Sequence, residues 1–211
     1  MISSKQYWKD VWLNMSYSLE TLSDGCYENS SVLINKFDIK DQKLLDQMEQ
    51  SITSALIAKA FIEIPFSNVD FNFYKSLHKY IFADIYDWAG EVRKVNMSKK
   101  GTDFCNFKEI EENGNRIFTR LKNTNYLNDL QDETFIDEFT DIFCELNYLH
   151  PFREGNGRVQ RLFLSMLLSN MNKKLDFSKI DKDLFMIATI KSVNGDVFML
   201  KDIFSSNIEN N

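Results

Sequence analysis

The run His150-Pro151-Phe152-Arg153-Glu154-Gly155-Asn156-Gly157-Arg158-Val159-Gln160-Arg161 sets a base, an acid, two glycines and several guanidiniums side by side. Gly155 and Gly157 bracket Asn156 just ahead of the apolar-periodic residues Val159, Leu162, Phe163, Met166 and Leu167, so the glycines stand where a helix begins. A helix start has unpaired backbone N–H groups and a partial positive charge, and glycine lets the backbone curve closely around an anion. Arg158 and Arg161, three residues apart, add two cations on one side of the first turn. The pattern predicts a site for a polyphosphate. A carboxylate at Glu154 would be repelled there unless a hard cation stood between, which makes Glu154 the candidate Mg²⁺ ligand. His150 is the nearby side chain whose ordinary pKa suits proton removal near neutrality, and it is the candidate general base for a hydroxyl attacking phosphorus. Pro151 helps to hold the turn, and Phe152 is read as an apolar anchor.

The elements that must position these groups read as helices. Shared faces recur at Trp8, Val11, Trp12 and Met15; at Leu44, Leu45, Met48, Ile52 and Leu56; at Phe73, Leu77, Ile81 and Phe82. They recur again at Ile110, Ile117, Phe118 and Leu121, and at Phe135, Phe139, Ile142, Phe143 and Leu146. Two further helices near 183–191 and 197–204 are parted by Asn194-Gly195-Asp196, a turn sequence. His78 falls on the third of these faces and reads as a packed helix histidine. The exception to helix is 92–105, where Val95 and Met97 alternate with polar residues before Lys99-Lys100-Gly101-Thr102, a hairpin turn.

The whole stretch His-Pro-Phe-Arg-Glu-Gly-Asn-Gly-Arg-x-x-Arg resembles the signature of the Fic family, and Leu77-His78-Lys79 through Trp88-Ala89-Gly90-Glu91-Val92-Arg93 is similar to the segment leading into that family's flap hairpin. The resemblance spans roughly residues 70 to 205. It implies a mainly α, single Fic-type domain with a short β-hairpin flap, and transfer of AMP from ATP to a Ser, Thr or Tyr hydroxyl of a protein. It also implies His150 as base, Glu154 on Mg²⁺, Gly155, Asn156 and Gly157 around the phosphates, Arg158 on the phosphate tail and Arg161 on the γ-phosphate. Family members that phosphorylate carry lysine where this chain has Gly157, so the transferred group is expected to be AMP. By the same resemblance Asp103, Phe104 and Cys105 wall the nucleotide site, Asn194 contacts adenine, and the target protein pairs along the flap. The protein itself is a further expected target.

Residues 1–69 are expected to hold N-terminal helices and residues 70–211 the catalytic core. Within the first part, Ser30 to Lys36 resembles the family's inhibitory helix, with Ser31 at its serine and Asn35 where its glutamate would pair with Arg161. The C-terminal Ser205 to Asn210 fits the same pattern, but it follows the last helix directly, and the N-terminal segment is the preferred reading.

Composition bounds the rest. A chain of 211 residues, 44% hydrophobic, suffices for one core, and a net charge of −6 without a basic stripe argues against nucleic acid or an anionic membrane surface as partner. Cys26, Cys105 and Cys144 lack paired metal-ligand spacing, and only two histidines accompany them, so reduced thiols and no zinc are expected. No secretory or membrane-length apolar run is present, which points to the cytoplasm. Two other functions remain open on the same residues: removal of AMP from a modified protein, and a non-catalytic nucleotide-binding regulator of a toxin–antitoxin type.

Overall fold

A computed structural model describes residues 25–99 and 102–210. Among them seven α-helices alternate with short connections: α1 (Gln42–Glu63), α2 (Phe71–Phe82), α3 (Ile110–Asn123), α4 (Asp132–Leu149), α5 (Asn156–Asn170), α6 (Lys182–Val193) and α7 (Phe198–Asn207). Short polar side chains start several of them. Asp41, Asp70 and Asp181 each accept a hydrogen bond from a backbone N–H three residues on, at 2.8, 2.7 and 2.8 Å. The predicted face Trp8, Val11, Trp12 and Met15 lies outside the described residues.

The signature helix α5 is central, packed against α2 and α4, while α3 bridges α2 and α4, and α6 and α7 close the far side of α4. Its apolar periodicity is realised in full: Val159, Leu162, Phe163, Met166 and Leu167 are all buried. Phe163 meets Tyr74 of α2 edge-on at 5.5 Å and Phe118 of α3 at 5.2 Å between ring centroids. Each such side chain withdrawn from water contributes about 1.5–3 kcal/mol, so the core itself anchors the start of α5.

Two small antiparallel ribbons complete the fold. β1 (Ser98–Lys99) pairs with β2 (Thr102–Asp103), Ser98 opposite Asp103, and forms the expected hairpin. β3 (Lys173–Leu175) pairs with β4 (Ile208–Asn210), Leu175 opposite Ile208. No helix among the described residues is long and apolar enough to cross a membrane.

Two expectations change, at residues 30–36 and on α1. Residues 30–36 form no helix; they are a looped segment held by a bridge between Cys26 and Leu33. Asn35 is the reason. Its side-chain N–H groups donate to the carbonyls of Leu33 (3.0 Å) and Ile39 (2.8 Å), while its carbonyl oxygen accepts from the amides of Phe37 (3.2 Å) and Ile39 (3.0 Å). All its capacity is spent locally, which favours a turn over a helix. The C-terminal match, the less favoured of the two, is part of strand β4 from Ile208 to Asn210, and its Glu209 faces Lys174 at 3.5 Å. On α1 the buried face is rotated from the expected one: Leu45, Glu49, Thr53 and Ala60 point inward and Leu44 is exposed. Two polar residues on an inward face call for partners, and the signature supplies one.

Candidate active site

The last turn of α4 delivers His150, whose backbone sits in the left-handed region at φ 41° as the helix C-cap. A non-glycine residue there costs about 1–3 kcal/mol and needs surroundings that hold it. Those are present. The His150 carbonyl accepts from Arg93 Nε at 2.8 Å, the next carbonyl, of Pro151, accepts from the Arg93 N–H at 2.8 Å, and the His150 ring stacks on Phe104 with centroids 3.7 Å apart and planes 8° from parallel. The Asn147 carbonyl lies toward the ring and favours its protonated form, and in the neutral imidazole one ring nitrogen keeps its lone pair. Burial pushes the imidazole pKa down to about 3, with Lys99 and Arg93 adding repulsion and the Asn147 carbonyl opposing the shift. His150 is a neutral imidazole at physiological pH.

The loop that follows is closed by its own side chains. Asn156 accepts from the Phe152 N–H at 2.9 Å and donates to the Phe152 carbonyl at 2.7 Å, so this asparagine fixes the loop rather than offering its side chain to a ligand. Phe152 is fully buried and lies flat on His78 at 3.8 Å. His78 is buried too: Nδ1 accepts from the Gly90 N–H at 2.9 Å, which leaves the proton on Nε2 for the Glu154 carbonyl at 3.0 Å. Gly155 opens α5 at φ 81°, and a Cβ there would lie 2.2 Å from the Phe82 ring. Only glycine fits both the conformation and the space. The amides of Asn156 and Gly157 have no acceptor among the described residues and point from the helix start, as an anion site requires.

Charge around this loop is divided unevenly. Glu154 Oε1 accepts from the Gly155 N–H at 2.8 Å and from Arg158 at 3.2 Å, while Oε2 takes no hydrogen bond among the described residues. One carboxylate oxygen is therefore available to a hard cation beside the anion site. Arg158 turns toward α1, where its guanidinium pairs with buried Glu49 and lies 4.7 Å from the Phe82 ring centroid. Glu49 in turn accepts from the Tyr86 hydroxyl. Burial raises the Glu49 pKa, and Arg158 works against that rise. Arg161, by contrast, makes no ion pair among the described residues and lies near Gly157, where a Cβ would sit 3.1 Å from its Nη1. It borders a cleft of about 250 Å³ that Ile57, Phe61, Leu162 and Phe177 also line.

A base at a helix C-terminus, a carboxylate with one free oxygen and a glycine-bounded helix start thus form one contiguous unit. The Fic/DOC pattern matches residues 68–168, the segment that holds all of it. A probable protein adenylyltransferase of Sinorhizobium fredii is 37% identical over 82% of this chain and 88% of its own length. The chain belongs to the Fic/DOC family. A probable protein adenylyltransferase Fic of Escherichia coli is 31% identical over 85% of this chain and 88% of its own length. Among solved structures, the AMPPNP-bound BepC effector of Bartonella tribocorum superposes with a TM-score of 0.83 at 26% identity, over 89% of this chain and 97% of the effector.

The remaining predicted Fic site residues fall in three places. Phe104 and Cys105 follow the flap against the end of α4, with the Cys105 N–H on the Tyr148 carbonyl at 2.9 Å, and Asp103 is exposed at the hairpin edge. Asn194 is the exposed C-cap of α6, its N–H on the Lys191 carbonyl, in a turn before Gly195. Ser31 and Asn35 belong to the N-terminal loop already described, and no interaction joins Asn35 to Arg161. Sequence reasoning passed over Glu49, Tyr86 and Arg93. A glutamate within the two turns between Leu45 and Ile52 was a usable signal, since an acid within an apolar helical face implies a cation opposite. For Arg93 no periodicity could have served, because its partners are backbone carbonyls.

Proposed function

We propose that this Fic protein is an adenylyltransferase that joins AMP from ATP to a protein hydroxyl. The observation that carries this reading is the neutral imidazole of His150 held beside a helix start with two unpaired amides. Phosphate capture alone has no use for a base held neutral at this point. The hydroxyl oxygen attacks the α-phosphorus, its proton passes to the free nitrogen of His150, the new O–P bond forms, and the bond from the α-phosphorus to the bridging oxygen breaks with pyrophosphate leaving. The amides of Asn156 and Gly157 donate to the phosphate oxygens, and Arg161 is the guanidinium available to the phosphate tail. Arg158, engaged by Glu49 and Glu154, acts instead to orient the Glu154 carboxylate. The free Glu154 oxygen, with phosphate oxygens, would hold Mg²⁺, which supplies charge neutralisation when bound. The target lies along the flap, whose short strands leave an edge for an extended segment, and the protein itself is among its targets. None of the three cysteines is in a disulfide, which suits a cytoplasmic setting.

Incubation with ATP and Mg²⁺ followed by intact mass measurement is the direct test. The expected result is a mass gain of one AMP on the enzyme with release of pyrophosphate, absent in His150→Ala, whose nucleotide affinity stays within about threefold. Nucleotide binding without adduct or pyrophosphate would make the protein a binding module, and loss of AMP from a modified substrate would make it the reverse enzyme.

A further inference from the structure

Arg93 is a buried guanidinium whose hydrogen bonds all go to backbone carbonyls. Nε donates to His150 at 2.8 Å, Nη1 to Val95 at 2.7 Å, and Nη2 to Cys105 at 2.5 Å and Leu149 at 3.5 Å. Among the described residues no carboxylate pairs with it, and burial lowers its pKa to about 10. A buried charge without a counter-ion costs stability, and an apolar contact would join these segments with less loss. The arrangement therefore has another consequence, which is position. Two of the acceptors, Leu149 and His150, end α4 and would otherwise be orphaned carbonyls. The other two, Val95 and Cys105, flank the flap on either side. One planar fork thus ties the base of the flap to the residue that carries the imidazole.

Phe104 shows the outcome of that tie. Its N–H donates to the Met97 carbonyl at 3.0 Å, and the next residue donates to Tyr148 at 2.9 Å, so its backbone is fixed on both sides. Its half-buried ring then covers one face of His150, nearly parallel at 3.7 Å. A flat ring at that spacing blocks rotation of the imidazole and keeps water from that face.

We propose that Arg93 and Phe104 are positioning residues for His150, Arg93 by setting its left-handed backbone and seating the flap, Phe104 by holding its ring in plane against the flap. The resemblance-based role of Phe104 as a nucleotide wall is a different function with different consequences. This proposal rests on His150 being the base, and part of its test is independent of turnover. The groups that face His150 are Lys99 from β1, Arg93 from the flap approach, the Asn147 carbonyl from α4 and Phe104 itself.

Three variants decide it: Arg93→Lys, which keeps charge but loses the fork; Phe104→Leu, which removes the flat ring; and Phe104→Tyr, which restores one. Imidazole NMR titration of His150 is practical because the chain has only two histidines. The expected result is that Phe104→Leu moves the His150 midpoint upward by about one unit or more and lowers kcat about 10- to 100-fold, with KM for ATP within about threefold, while Phe104→Tyr returns both toward the parent. Arg93→Lys moves both in the same direction as Phe104→Leu. If Arg93→Lys does not fold, the two Phe104 variants carry the test alone. A raised KM with unchanged kcat and titration in Phe104→Leu would make Phe104 a nucleotide contact and overturn the proposal. An unchanged kcat and His150 midpoint in folded Arg93→Lys would overturn the Arg93 half. Activity retained in His150→Ala would defeat the base assignment while leaving the titration result to be read by itself.

Discussion

Lowering the pH should loosen this protein through His78, and the size of the effect follows from its surroundings. The ring has no exposed surface, donates from Nε2 to the Glu154 carbonyl at 3.0 Å and accepts at Nδ1 from the Gly90 N–H at 2.9 Å. Protonation would place a second proton against the Gly90 amide and a charge among Phe82, Trp88 and Phe152, whose ring centroids lie 4.6, 5.9 and 3.8 Å away. Burial lowers its pKa to about 3, with the Arg158 charge adding to the shift and the Glu154 carbonyl opposing it. Between pH 6.5 and 3 the unfolded chain binds this proton and the folded chain does not, so stability rises with pH across that window. The stabilisation is complete above pH 6.5 and is lost as pH falls toward the folded value. At about 1.4 kcal/mol per unit, and with the unfolded imidazole half protonated at pH 6.5, a drop to pH 4.5 costs about 2.3 kcal/mol from His78 alone. For a domain of this size that is a fall of roughly 5–9 °C in Tm. Carboxylates titrate in the same range, so the measurement is a difference: urea unfolding of parent and His78→Gln at pH 6.5 and 4.5, without nucleotide and with a chelator present. The parent should lose about 2–3 kcal/mol more than the variant over that interval. Equal losses, or a His78 imidazole signal titrating near 6.5 in the folded protein, would refute the reasoning.

Other outcomes follow from the contacts around the signature. Glu49→Gln should cost about 3 kcal/mol in urea unfolding, the low end of the range for breaking a buried pair because Arg158 keeps Glu154 as a partner. Gly155→Ala combines a positive φ with a Cβ 2.2 Å from the Phe82 ring, and should lose about 3 kcal/mol or more together with AMP transfer, measured by thermal unfolding and intact mass. Asn35→Glu should lower Tm by several degrees through the loss of its two side-chain N–H donors, and should not act as a specific competitor of the γ-phosphate. Unchanged stability with weakened ATP binding in that variant would restore Asn35 to an inhibitory role.

How far the sequence alone could go depends on the range of each interaction. The helices were legible because apolar periodicity records a face, and α3, α4 and α5 bury the residues that their patterns name. The site motif was legible because base, acid, glycines and arginines are contiguous, so their spacing along the chain is their spacing in the loop. The hairpin at 98–103 was legible from alternation and a glycine turn. Tertiary structure decided what those groups do with their capacity. By position Asn156 and Arg158 read as phosphate residues; in the structure the Asn156 side chain closes the loop on Phe152 and leaves its backbone amide unpaired, and Arg158 turns to Glu49, which is 109 residues away in the chain. The inhibitory match at 30–36 failed because four local hydrogen bonds from Asn35 outweigh a short helical preference. Arg93 ends the segment that resembles the approach to the family's flap, but nothing in the sequence named its partners, since backbone carbonyls are the same whatever the sequence around them. Contiguous chemistry and periodic faces are written in the chain, whereas the choice of partner for each buried polar group is set by which segments the core brings together.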